Sequence, residues 1–143
     1  MTVLVSACLL GCPCRYDGKS KPNDAVLALL ERHTLIPVCP EQMGGLATPR
    51  HPAECRDGGV FTQTGADVTE QYRRGAEVAL RLAQLYGCTC AILKERSPSC
   101  GKGSIYDGSF SRKLVEGDGA TAALLKAHGI AVYGESEVDN LWK

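Results

Sequence analysis

Residues 1–14 read MTVLVSACLLGCPC, and this stretch decides how the rest of the chain is organised. Val3, Leu4 and Val5 form a short, continuous apolar run rich in β-branched residues. That pattern predicts a buried strand over Thr2–Ala7. Three thiols, Cys8, Cys12 and Cys14, follow at its end. Thiols there can serve as core filler, a disulfide framework, a zinc site, a redox pair or part of a cluster, and the remainder of the sequence must choose among these.

Two further apolar runs end in the same way. Leu35–Val38 predicts a second strand leading into Cys39, Pro40 and Glu41, and Ala91–Leu93 predicts a third leading into KERSPSCG at 94–101. Helical patterns separate them. KPNDAVLALLERH at 21–33 has Asn23 or Asp24 as a cap and an apolar stripe of Val26, Leu27, Leu29 and Leu30. A long helix starts at Asp67, with Thr69 as a competing cap, and ends near Gly87. Val78, Leu82 and Leu85, with Ala79 and Ala83, give it a core face. A final helix over Ala120–His128 stops at Gly129, with His128 placed as a partner for the helix dipole, and Ile130–Tyr133 is the last strand. Residues 44–66 lack helical period and read as a long ordered loop with a small hairpin at Val60–Gln63. A second glycine-rich loop runs to Asp118. Alternating strand, loop and helix predicts a single domain over 1–143. Its fold class is α/β: a three-layer, open, mainly parallel sheet, Rossmann-like, with long functional loops.

Composition narrows the function classes. Sixteen basic and sixteen acidic residues cancel, and no block of like charge stands out, which argues against an electrostatic nucleic-acid binder. Arg15, Arg50, Arg56 and Arg96 remain as material for a local anion site or for pairing with carboxylates. No 18-residue apolar run and no basic-then-apolar leader is present, so neither a membrane span nor a signal peptide is expected, and the expected compartment is the cytoplasm. Eight cysteines exceed common usage but fall below the density of secreted disulfide scaffolds. In a reducing compartment such thiols bind metal or do chemistry.

In an open parallel sheet, ligands sit at the carboxyl ends of the strands. Cys8, Cys39 and Cys100 each follow a predicted strand and are expected on one edge. Cys88 and Cys90, at the start of the third strand, belong to the opposite edge and to packing. Cys12 and Cys55 fit packing or surface as well as function, and Cys14 is a fourth ligand or a nearby thiol. Spacing alone leaves open a three-cysteine cluster, a zinc site or a redox thiol pair, although paired zinc knuckles are missing apart from Cys8-x₃-Cys12. Glu41 and Ser97 stand within three residues of Cys39 and Cys100, where a carboxylate can take a proton from water and a hydroxyl can relay one. The plainer readings are a helix-capping glutamate and a turn serine in SPS.

Taken together, SACLLG with CRYDGK, CPE followed by GGLATPR and PAE, DVTEQYRRGA, LKERSPSCG, and IYDGSF with LVEGDGATAALL resemble the thiouracil desulfidase family over almost the whole chain. Ala47 stands where a proline is common in that family, and Cys12 and Pro13 occupy a variable stretch. The resemblance implies a cytoplasmic enzyme with a [4Fe–4S] cluster on three cysteines and one open iron. It maps the ligands onto Cys8, Cys39 and Cys100, and the acid–base residues onto Glu41 and Ser97. The implied reaction is non-redox desulfuration of a small thiolated base such as 2-thiouracil, giving uracil and sulfide. The competing expectations are cluster-dependent thiolation of a nucleoside or RNA, and a non-catalytic zinc- or cluster-binding module.

Overall fold

The computed structural model describes residues 1–141. Four strands, β1 (Thr2–Ser6), β2 (Thr34–Val38), β5 (Cys90–Leu93) and β8 (Ala131–Gly134), form one sheet in the order β2-β1-β5-β8. Every pairing in it is parallel, with Leu4 opposite Ile36 on one side and Ala91 on the other. The expected three-layer α/β fold is the observed one.

Alternation along the central strands explains the layers. Leu4, Ala91 and Leu93 face one core, shared with Ala79 and Ala83 of α3 (Thr69–Leu85) and Ala122 and Leu125 of α4 (Ala120–Ala127). Val3, Val5, Cys90 and Ile92 face the other, closed by Val26 of α1 (Asp24–Ala28) and by Val138 of a terminal 3₁₀ helix, Glu135–Asn140. Strands buried on both faces need apolar residues at successive positions, which is why the periodicity of two is hidden in these runs. No helix among the described residues is long and apolar enough to cross a membrane.

The differences from expectation lie outside the sheet. Asn23 caps α1, its side chain accepting the N–H of Val26, but the helix tightens into a 3₁₀ turn at Leu29–Glu31. That change of pitch leaves Leu30 exposed rather than on the apolar stripe. Neither Asp67 nor Thr69 caps α3 from the N-cap position, which is Val68. Instead Asp67 accepts the N–H of Thr69, and the Thr69 hydroxyl accepts the N–H of Val60, tying the helix to a hairpin. That hairpin, β3 (Ala53–Arg56) with β4 (Gly59–Thr62), is larger than expected. A second hairpin, β6 (Ser104–Tyr106) with β7 (Leu114–Glu116), lies in the glycine-rich loop where none was expected.

One helix contact sets the geometry of the strand-end edge. Helix α2 (Pro40–Met43) begins directly after Cys39 and packs backbone to backbone against α3. A Cβ on Gly75 would lie 1.9 Å from the Pro40 carbonyl oxygen, and one on Gly44 would lie 1.9 Å from that of Gln71. Alanine in a helix interior ordinarily gains about 1 kcal/mol over glycine. Gly75→Ala is nevertheless expected to destabilise the protein by roughly 1–3 kcal/mol, because backbone rather than a flexible side chain must move. Denaturant unfolding measures it, and a stabilised variant would contradict the contact.

Candidate active site

The carboxyl ends of β1, β2 and β5 open onto a cavity of about 670 Å³. Cys8 arrives from the 3₁₀ turn Ala7–Leu10 after β1, Cys39 from the N-terminus of α2, and Cys100 from the loop after β5. All three line the cavity with Cys14, Glu41 and Ser97. Cys88 and Cys90 are buried in the two cores beside the sheet, Cys12 is exposed, and Cys55 is half-buried with its thiol directed at the Pro98 carbonyl (3.6 Å). None of those four lines the cavity.

The Cys39 thiol approaches the Cys14 carbonyl at 3.7 Å, and Cys8 and Cys14 line the same cavity. Interaction with Cys39 pulls the Cys14 thiol down, yet interaction with Cys8, burial and neighbouring thiols together push it up to about 11. Cys39 is pushed well above the ordinary thiol range by its bond with Cys14 and by burial. Burial, then the charge of Glu41, does the same to Cys100, and a hydrogen bond with Ser6 opposes it. Ser6 is buried at the end of β1 and its hydroxyl accepts the N–H of Lys94, so it joins the first and third strand ends.

Glu41 lies in the first turn of α2, with its side chain 15% exposed. Burial raises its pKa, and the Arg50 guanidinium, 3.4 Å away, only partly offsets that. Arg50 also donates to the Cys14 carbonyl (3.0 Å) and to the Thr48 hydroxyl (3.0 Å), so one side chain ties carboxylate, thiol loop and the 47–50 turn together. The Ser97 hydroxyl oxygen accepts the N–H groups of Ser99 (3.1 Å) and Cys100 (3.0 Å). With both lone pairs engaged, its own proton is left to donate, so Ser97 is at once a turn serine and a donor at the cavity wall. Of the four arginines singled out in the sequence, Arg15, Arg50 and Arg96 reach the cavity. Arg56 instead pairs loosely with Asp57 and lies over the Phe61 ring.

The donor set suits an iron–sulfur cluster. Several soft thiol donors from separate strand ends border a space that the side chains do not fill. Among the described residues, no group of three or more His, Cys, Asp or Glu is close enough to grip a single metal ion. A four-iron cluster is broader than one ion, and its ligand sulfurs stand correspondingly farther apart.

The family model for 2-thiouracil desulfurase matches residues 3–137. The chain belongs to the 2-thiouracil desulfurase family. Its similarity to known members of the fold is extensive. A solved structure of the [4Fe–4S]-dependent thiouracil desulfidase TudS superposes with a TM-score of 0.90 at 48% identity, covering 98% of this chain and 94% of that one. The uncharacterized protein YbbK of Bacillus subtilis (strain 168) is 42% identical over 149 residues, covering 97% of this chain and 99% of its own. The 2-thiouracil desulfurase assignment makes the chain an enzyme of the class its motifs implied, rather than a binding module. Sequence reasoning missed Ser6 and Tyr72 as cavity residues, and it named Arg50 without choosing between an anion site and a carboxylate partner. Each sits inside a quoted motif (SACLLG, DVTEQYRRGA, GGLATPR), but nothing in local period shows that the three motifs meet.

Proposed function

We propose that this 2-thiouracil desulfurase removes sulfur from a thiolated pyrimidine such as 2-thiouracil, with water supplying the carbonyl oxygen and sulfide leaving. The balance is one thiocarbonyl and one water to one carbonyl and one hydrogen sulfide, with no net electron transfer. The observation that carries this reading is the meeting of Cys8, Cys39 and Cys100 at one cavity with a half-buried Glu41–Arg50 pair. When bound, a [4Fe–4S] cluster held by Cys8, Cys39 and Cys100 supplies an iron free of protein ligands as a Lewis acid for the thiocarbonyl sulfur.

The chain's own groups do the rest. Glu41 takes the proton of the attacking water, and its raised pKa makes it a stronger base than a solvated carboxylate. Arg50 holds that carboxylate in place through the whole cycle. The Ser97 proton hydrogen-bonds the substrate or passes to the departing sulfur.

The test is anaerobic reconstitution, iron and sulfide quantification, and sulfide release from a panel of thiobases without added reductant. Strict dependence on a reductant in every cycle would overturn the non-redox scheme, and thiolation activity without release would favour the reverse reaction. Cys14 is a neighbour rather than an obligatory ligand in this reading, since a fourth thiolate would close the iron to substrate. Cys14→Ser is therefore expected to keep its iron content. Loss as complete as in Cys8→Ser would move Cys14 into the ligand set.

A further inference from the structure

Among the described residues, four non-glycine residues have left-handed backbones: Asp57 (φ 50°), Arg96 (φ 68°), Phe110 (φ 56°) and Arg112 (φ 63°). Asp57 is explained by the tight β3–β4 turn that it forms with Gly58. The other three line the cavity. A left-handed conformation is an outlier for a bulky residue, and such strain persists only where surrounding structure over-determines it.

At Phe110 the determining contacts are visible. The Oε1 atom of Glu54 accepts the N–H of Gly108 (3.0 Å) and of Phe110 (3.1 Å), pinning the β6–β7 loop onto β3. Gly108 is pressed so closely against β3 that a Cβ there would lie 2.7 Å from that of Arg56. Nothing in the hairpin itself requires an aromatic at this position, because Phe110 belongs to none of the three apolar cores. The residue lies at the wall of the reaction cavity instead.

We propose that Phe110 is the stacking face for the substrate's pyrimidine ring and that Glu54 is the positioning residue that holds it there. This assignment rests on the desulfurase reading and adds the element that recognises the ring. A flat, electron-poor heterocycle presents a π-face as well as a sulfur, and an aromatic held against it orients the sulfur towards the thiol-lined end.

Two sets of variants test it in the reconstituted enzyme with 2-thiouracil. Phe110→Ala and Phe110→Gly should raise KM about tenfold, the scale of base–aromatic stacking, with the loss falling on KM more than on kcat and the cluster's absorption retained. Phe110→Tyr should restore KM. Because glycine adopts the observed φ without the cost a Cβ brings, Phe110→Gly should also melt above Phe110→Ala, the reverse of the usual order. Glu54→Ala should reproduce the rise in KM, and Glu54→Gln, which keeps an acceptor oxygen, should recover most of it. A wild-type KM in Phe110→Gly beside an active parent enzyme would overturn the stacking assignment alone. A fully loaded parent that releases no sulfide from any thiobase would overturn the desulfurase reading and this assignment with it.

Discussion

Cys8→Ser, Cys39→Ser and Cys100→Ser, each purified without oxygen, are expected to lose the iron and labile sulfide of the parent protein and all sulfide release. Cys88→Ala and Cys90→Ala should retain both. The two groups differ in placement rather than in burial, since Cys8, Cys88, Cys90 and Cys100 are all buried. Cys88 and Cys90 fill the cores beside the sheet, where a thiol behaves as a small hydrophobe. The other three stand at the carboxyl ends of β1, β2 and β5, around one cavity. Serine keeps the size of the side chain but offers iron a hard, protonated oxygen in place of a thiolate, so losing one of three anchors is expected to release the cluster. Iron and sulfide per chain, with visible absorption, read the result. Full iron in Cys100→Ser would exclude that residue as a ligand.

The parts of this fold that were legible in the sequence are those whose burial is settled locally. Val3–Val5 and Ala91–Leu93 are apolar at every position because both faces of their strands are covered, so each run marks its own strand and the residue that follows it. The convergence of Cys8, Cys39 and Cys100 followed from parallel order, a property of topology rather than of any one segment. What escaped was decided by distant partners. Leu114, Val115 and Glu116 are all exposed, carry no alternation, and become β7 only by pairing with Ser104–Tyr106. Arg50 stood out by residue type, but its partners did not: only the folding of a loop without period brings it to both Glu41 and the Cys14 carbonyl. Phe110 was invisible for the same reason, its backbone being set by a carboxylate on β3.

Glu41 is where the chemistry itself is most exposed to test. Glu41→Gln preserves size and an acceptor for Arg50 but cannot take a proton, so turnover should fall by about 10²–10⁴-fold, the usual worth of a positioned base, while iron content stays at the parent level. Glu41→Ala removes the same base and also leaves the Arg50 guanidinium, 9% exposed, without its carboxylate. Breaking one partner out of such a pair costs on the order of 3 kcal/mol, so the alanine variant should unfold earlier as well as turn over slowly, and the glutamine variant isolates the chemical effect. Ser97→Ala should lose less rate than Glu41→Gln, because it removes a donor rather than the base. It also strips the acceptor from the N–H groups of Ser99 and Cys100, so some loss of iron is expected along with the rate. Glu41→Gln with a full cluster and a parental rate would take the carboxylate out of the mechanism. Water would then have to be activated from elsewhere in the cavity, and Arg50 would be left as a purely structural cation.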